Sequence, residues 1–359
     1  MKYEKEFPLF KTKVEGVEKK FNLSDLQERQ VYFQAKAGTE IEKMKDYFAK
    51  GNTFIAYLLG KKNAGKGTYT KLLMEIFGKD KIEHISVGDI VRSVHESMED
   101  ETKKKELLDY LNQNYRGYIT PEQAIDALLG RDTKTLLPNE FILALVKKEI
   151  DKAGKKAIFL DGFPRNLDQV SYSLFFKQLV DFREDPDIFV AIDIPESVID
   201  ERMKNRAVCP ICHTPRNTKL FATKKVGFDE EKKEFYLMCD NPACQNARMG
   251  AKEGDSLGIS SIRDRLELDG QLNEKIFSLH GIKKILLRNA VPVAKAGEYV
   301  DDYEITPEYY YELDEAGKEV KTLERLFVVK DDEGKEVYSL LAPPVAIALI
   351  KQLAKALDL

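Results

Sequence analysis

Two groups of residues have the types and spacing to do chemistry. Gly60, Gly65 and Lys66 are spaced Gly-x4-Gly-Lys and run on into Gly67-Thr68. A turn of this kind lets backbone N–H groups wrap a phosphate, and its lysine reaches the outer phosphates of a nucleoside triphosphate. The second group is Cys209, Cys212, Cys239 and Cys244, which cluster in one short segment and are the only cysteines in the chain. Cys209-x2-Cys212 and Cys239-x4-Cys244, separated by the segment 213–238, suit a tetrahedral zinc site with four thiolate ligands. Four protein ligands leave no open position, so such a zinc is structural. A redox Cys-x2-Cys pair or four free thiols are the alternatives, and His213 is a possible substitute ligand.

The first group needs a strand and a helix to hold it. Thr53 to Leu59 is an apolar run of strand length that leads directly into Gly60. After Thr68, Leu72, Leu73, Ile76 and Phe77 share one helical face, and Gly78 ends the helix. This context favours a phosphate loop over a surface Gly/Lys turn. Lys156 to Leu160, ending at Asp161, and Ile188 to Ile192, ending at Asp193, read as further parallel strands. Their alternation with helical stretches predicts an α/β fold with a parallel sheet and ligands at the strands' carboxyl ends.

The remaining segments surround that core. Residues 1–50 are polar and helix-prone. Thr39 and Glu42 form a capping box, Ile41, Met44 and Phe48 follow at helical spacing, and Gly51 is the stop. Residues 93–137 read as a charged, mostly helical insertion. Residues 296–340 are acidic and tyrosine-rich, and their turns Asp314–Val320 and Asp332–Val337 predict two hairpins. Pro343-Pro344 opens a final helix with Val345, Ala348, Leu349, Leu353 and Leu357 on its apolar face.

Composition narrows the function classes. The chain has 359 residues, of which 43% are hydrophobic and 33% charged. That suffices for a sizeable core and excludes wholesale disorder. A net charge of −4 is not that of a general polyanion binder, so phosphate binding must come from local basic groups. No apolar run is long enough to span a bilayer, and MKYEKEFPLF lacks the apolar centre of a signal peptide. The expected compartment is the cytoplasm, where clustered cysteines bind metal rather than form disulfides.

Three motifs in order are similar to those of the adenylate kinase family of nucleoside monophosphate kinases. They are Gly65-Lys66-Gly67-Thr68, His84-Ile85-Ser86-Val87-Gly88-Asp89-Ile90-Val91-Arg92 and Asp161-Gly162-Phe163-Pro164-Arg165. Leu136 to Lys148 resembles the family's helix before its third strand. The likeness covers roughly residues 53–92, 136–213 and 255–267, and the final helix more weakly. The resemblance implies a P-loop NTPase core with a parallel sheet, an inserted lobe that binds the nucleoside monophosphate (NMP), and a zinc-binding lid. It divides the chain into an N-terminal extension (1–50), core (51–88), NMP lobe (89–137), core (138–206), zinc lid (207–258), core (259–295), acidic hairpin extension (296–340) and final core helix (341–359).

The resemblance also assigns roles. Gly60, Asn63, Ala64, Gly65, Lys66, Gly67 and Thr68 would hold ATP. Arg202 and Arg206, read as sharing one helix face, would clamp its phosphates. Val87, Arg92, Gly162, Arg165, Gln169 and Arg265 would bind AMP, with Arg263 the reserve for Arg265. Lys66, Arg92, Arg165, Arg202, Arg206 and Arg265 would carry catalysis, because apposed phosphates need several guanidinium groups. Asp161 and Asp89 would hold Mg²⁺, mostly through water, and His84 is read as structural. This chain departs from the family at Lys62 and Asn63, which replace Pro and Gly, and at Val87, which replaces Thr. Asn tolerates the left-handed backbone that glycine supplied, and Lys61 and Lys62 would add charge near the phosphates. Where the family carries a further lid arginine, this chain offers Lys252 or Arg248, or none.

The implied reaction is reversible transfer between Mg·ATP and AMP, giving two ADP, with zinc in the lid. The expected partners are small nucleotides, with no membrane or nucleic acid; the expected state is a monomer, with 296–340 available for contacts. A UMP/CMP kinase is the alternative, because Asn166 and Asp168 resemble the pyrimidine-kinase pattern. An alternative of another class is a nucleotide-dependent nucleic-acid switch read by the zinc lobe.

Overall fold

The structure, a computed structural model, describes residues 7–131, 137–164, 185–315 and 319–359. At its centre is a five-stranded sheet of β1 (Ile55–Gly60), β2 (Ile82–Ser86), β3 (Ala157–Asp161), β4 (Asp187–Asp193) and β10 (Lys283–Arg288), in the spatial order β10-β4-β1-β3-β2. Every pairing in it is parallel. A parallel sheet needs helices on both faces, and its strands therefore read as near-continuous apolar runs. Side chains alternate between the faces. Ala56, Leu58, Phe159, Val190 and Leu287 enter one core cluster, while Tyr57, Leu59, Ile158, Leu160 and Phe189 enter the other.

On the first face lie α1 (Leu26–Ala49) and α2 (Lys66–Phe77). On the second lie α3 (Val87–Ser97), α4 (Glu101–Asn114), α5 (Pro121–Leu128) and α6 (Asn139–Ala153). The segment read as an inserted lobe is helical, as expected. Its Leu107, Leu111 and Ile125 join Phe141 and Val146 of α6 in one continuous core. α7 (Glu196–Lys204) returns to the first face, and α8 (Arg263–Phe277) packs on the second. After the one-turn helix α9 (Ala296–Tyr299) and the hairpins, α10 (Ala342–Ala356) closes the chain on the first face. Among the described residues no helix is long and apolar enough to cross a membrane.

Three sequence expectations need correction. Thr39 does not begin a helix: α1 is capped by Asp25, whose carboxylate accepts from the N–H groups of Gln27 and Glu28. The helix breaks its dihedrals only at Ala37 and resumes. Ile41, Met44 and Phe48 continue the apolar stripe begun by Tyr32 and Phe33. The expected stop is present, with Gly51 at φ +77°. Second, α10 is not apolar on one face alone. Val345 through Ile350 are all buried, since α10 lies between β10, α2 and α1. Third, Arg202 and Arg206 do not share a helix face. α7 ends at Lys204 with Asn205 as cap, and Arg206 opens the strand β5 (Arg206–Val208), where β-branched Val208 leads into the lid.

The lid segment forms two small sheets. β5 pairs with β6 (Pro215–Asn217) and β9 (Gly250–Ala251), and β7 (Val226–Asp229) pairs with β8 (Glu234–Leu237). The two expected hairpins are β12 (Pro307–Leu313) with β13 (Val320–Leu326), and β14 (Val328–Lys330) with β15 (Glu336–Ser339). β15 also pairs with β11 (Ala290–Pro292), directly after β10. The second hairpin is thereby joined to the core, while the first lies against the lid. The Tyr309 N–H donates to the Lys219 carbonyl at 2.7 Å, and Glu308 pairs with Lys219 at 3.1 Å.

Candidate functional site

β1 delivers the phosphate loop at its carboxyl end, as the apolar run before Gly60 requires. Two of the loop's glycines, Gly60 and Gly65, are forced, because only glycine adopts their backbone angles without strain. Gly60 has φ +137°, and a Cβ there would stand 2.4 Å from the Ile192 carbonyl oxygen. Gly65 has φ +94°, and its Cβ would press on the Tyr69 ring at 3.1 Å. Asn63 occupies the left-handed region at φ +66°. That is the conformation inferred for it from its residue type. Gly65 has no side chain to cap α2. The N–H groups of Lys66 and Gly67, ahead of the Thr68 N–H that donates to the Gly65 carbonyl, therefore face an anion site.

The loop borders a cleft of about 590 Å³. Gly60, Asn63, Ala64, Gly65, Lys66, Gly67 and Thr68 line it, together with Asp161, Gly162 and Arg265. Lys66 Nζ donates to the carbonyls of Gly60, at 2.9 Å, and Lys61, at 3.3 Å, and lies 3.7 Å from Asp161 Oδ1. Arg265 pairs with Asp269 at 2.8 Å, and the Lys62 N–H donates to the same carboxylate at 3.1 Å. Burial raises the Asp269 pKa, and the charges of Arg265 and Lys66 oppose that shift. Arg263 points elsewhere, to Glu196 at 2.9 Å, so of the two arginines Arg265 is the one at the cleft.

Arg202 approaches the loop from α7 and donates to the Asn63 carbonyl at 3.2 Å. Burial lowers its pKa, but a guanidinium remains charged throughout the accessible pH range. Arg206 is held by Asp255 in a two-pronged contact of 2.6 and 2.9 Å. Arg248 is engaged inside the lid, with Asp229 at 2.6 Å and with its guanidinium 4.1 Å from the centre of the Tyr236 ring. Lys252 is exposed.

Other expected residues that the structure describes do not line the cleft. Val87 is buried in the second core cluster, where a branched apolar side chain belongs, and offers no side chain to a ligand. Asp89 and Arg92, one turn apart on α3, pair with each other in solvent. Lys61 does not add charge beside the phosphates, because its ammonium turns outward to Asp332 and Glu196. Arg165 and Gln169, with Asn166 and Asp168, lie outside the described residues. His84 sits behind the loop. Burial lowers its pKa, and the charges of Asp161 and Asp89 oppose that.

Asp269, Asn273 and Lys71 also line the cleft and were not anticipated. Asp269 was within reach of sequence reasoning, since it follows Arg265 by one helical turn.

The four cysteine sulfurs all lie within 4.8 Å of one another, and Cys212 and Cys239 are 3.6 Å apart. Tetrahedral zinc with Zn–S bonds of about 2.3 Å sets its sulfurs about 3.8 Å apart, so the group fits zinc. The longer second spacing has a structural cause. Pro242–Cys244 makes a 3-10 turn capped by Asn241, which takes up the extra residues before Cys244 returns to the cluster. The Thr214 hydroxyl beside Cys212 pulls that thiol down to about 6, while burial and the neighbouring sulfurs push Cys244 up to about 12, as expected where four thiols crowd one point without a cation. His213 is exposed and stands outside the group. The lid's own apolar core holds few side chains besides these cysteines, including Ala207, Leu237 and Met249, too few to order it alone.

A parallel sheet, a phosphate loop at the carboxyl end of its central strand and converging cations define a P-loop kinase. Comparison with known proteins agrees. A family model described as an AAA domain matches residues 59–208. An adenylate kinase of Clostridium acetobutylicum is 32% identical over 220 residues, covering 61% of this chain and 83% of that protein. One of Clostridium novyi is 35% identical over 187 residues, covering 51% and 74%, and one of Thermotoga neapolitana 27% identical over 242 residues, covering 65% and 89%. The chain belongs to the adenylate kinase family.

Proposed function

We propose that the chain transfers the terminal phosphoryl group of ATP to AMP, reversibly and directly, giving two ADP. The observation that carries this reading is the cleft in which the loop, Lys66, Asp161 and Arg265 converge. Phosphoryl transfer asks a protein for positioning and charge stabilisation. An oxygen of the AMP α-phosphate attacks the γ-phosphorus in line, and the bond to the β-phosphate oxygen breaks.

In this reading the loop N–H groups cradle the β-phosphate. Lys66, now resting on loop carbonyls, turns to the transferring group. Arg202 is already against the loop, and Arg206 and Arg265 would exchange Asp255 and Asp269 for phosphate oxygens. Arg92, Arg165 and Gln169 are assigned to the acceptor, with Val87 contributing backbone only. Asp161 in the cleft is the carboxylate available to Mg²⁺, and Asp89, now paired with Arg92, would join it only on exchanging that partner; the ion would supply charge neutralisation on the phosphates. The four cysteines hold zinc as a structural ion. That thiolate set suits a reducing compartment, and we assign the chain to the cytoplasm.

A coupled assay of ADP production, with Mg·ATP and AMP, UMP, CMP or GMP in turn and a control without acceptor, tests the reading. Strong turnover with AMP alone is expected. Preference for UMP or CMP would assign the acceptor to the pyrimidines. No turnover with any acceptor, alongside salt-sensitive RNA or DNA binding, would replace the kinase by a nucleic-acid switch. Lys66→Ala should reduce turnover by about a hundredfold or more with the fold intact.

A further inference from the structure

The hairpin between β14 and β15 belongs to the acidic extension, yet its turn reaches the phosphate loop. Asp332 carries two contacts on one carboxylate. Oδ2 accepts from Lys61 Nζ at 2.6 Å, and Oδ1 accepts from the Glu196 N–H at 2.8 Å. Lys61 is the second residue of the phosphate loop, and Glu196 is the first residue of α7. That helix has Pro195 at its cap position, without a side-chain hydrogen bond of its own, so Asp332 caps it from another part of the chain. Lys61 Nζ also lies 3.4 Å from the Ile194 carbonyl and 3.6 Å from Glu196. The same turn is fastened again where Ser197 Oγ donates to the Lys330 carbonyl at 2.7 Å.

α7 matters because of what stands near its other end. Arg202 donates from there to the Asn63 carbonyl. The helix therefore meets the loop twice, through Asp332 and Lys61 at its start and through Arg202 near its end. Behind the loop a second chain of contacts runs to the same hairpin. Tyr69, beneath Gly65, accepts from Asn289 Nδ2 at 2.7 Å, and Asn289 Oδ1 accepts from Ser339 Oγ at 3.2 Å and the Leu340 N–H at 3.0 Å.

We propose that Asp332 is a positioning residue for phosphoryl transfer, fixing the phosphate loop and the Arg202-bearing helix relative to each other. It touches no substrate and works through Lys61 and Glu196. The proposal rests on the kinase reading above. Its expected signature is confined to the donor side, because Arg92 is carried by α3 and Arg265 by α8, neither of which Asp332 touches. Asp332 itself is half-exposed while Lys61 is mostly covered, and one such pair and cap is a small part of the stability of a chain this size, so a kinetic effect without a large change in melting temperature is the distinguishing result.

The test compares wild type, Asp332→Ala, Asp332→Asn, Lys61→Met and the Asp332→Ala/Lys61→Met double variant in the ADP-production assay. KM for Mg·ATP, KM for AMP, kcat and the melting temperature are read for each. Asp332→Ala should lower kcat/KM for ATP about tenfold and leave KM for AMP within about twofold. Asp332→Asn, which keeps an acceptor for the Glu196 N–H and loses the charge facing Lys61, should fall between. The double variant should lose less than the product of the two single losses, because both remove one link. ATP kinetics of Asp332→Ala matching wild type would overturn the proposal. So would an equal loss toward both substrates accompanied by a fall in melting temperature in both Asp332 variants. An inactive wild type would instead overturn the kinase reading, and the two failures are thus separable.

Discussion

At the scale of single residues, Asn63 and His84 show how side-chain type limits what the loop can do. Asn63 holds a left-handed backbone. A branched side chain there strains the backbone by about 1–2 kcal/mol. Asn63→Gly should therefore keep kcat/KM for ATP within about twofold, while Asn63→Val should lose about tenfold, the kinetic equivalent of that strain. Steady-state titration of ATP checks both. His84 offers a test by pH. Its folded pKa lies below the ordinary 6.5, because burial disfavours the imidazolium. The unfolded chain then binds the proton more readily, so stability falls as pH drops below about 6.5, until the folded pKa is passed. The melting temperature should decline as the solution is taken from neutral to mildly acidic, and His84→Asn should flatten that decline. An unchanged slope in the variant would show that other groups produce it.

At the scale of elements, the sequence was informative wherever one local signal decided the outcome. The run into Gly60, the strand ending at Asp161 and the hairpin turns all carried such signals, and each is present. β2 and β10 were not anticipated, since Glu83, His84, Lys283 and Lys284 break up their apolar runs at the sheet's edges. The placing of Arg206 failed for a different reason. Four-residue spacing implies one helix face only while the helix lasts, and α7 stops at Lys204. Partners distant in sequence, such as Asp255 for Arg206 and Asp332 for Lys61, carry no local signal at all. The cysteine lid is the opposite case, because the ligand spacing itself encoded the closure. With so small an apolar core, a zinc ion held by the four cysteines would supply much of this segment's folding free energy. Cys209→Ser should therefore bring zinc below one per chain by metal analysis and lower the melting temperature, with acceptor KM little changed. Zinc retained at one per chain would mean that the ligand set is wrong.

At the scale of the whole molecule, the segments 1–50 and 296–340 are packed, where described, on the central sheet's core and on each other. α1 covers the outer side of α10, and both belong to the cluster beneath the sheet. A buried polar knot joins them. Tyr32 OH and Thr12 Oγ1 each donate to the Glu304 carboxylate at 2.6 Å, and Lys36 pairs with Asp301 at 2.5 Å while lying 4.0 Å from Glu304. Glu304 and Lys36 are both buried, and burial with the neighbouring Glu304 charge holds the Tyr32 hydroxyl firmly protonated. Removing one member of such a group leaves the others desolvated without compensation, at a cost of about 3 kcal/mol. Glu304→Ala should lose stability on that scale, measured by urea unfolding. Because the knot lies in the same cluster as the sheet, the loss should shift the whole transition rather than split off an early phase. Glu304→Gln, which keeps the shape and an acceptor for one of the two hydroxyls, should lose less. An early, separate transition in Glu304→Ala would mean that the extensions unfold as an appendage, and their contacts to the phosphate loop could then be lost while the catalytic core remains folded.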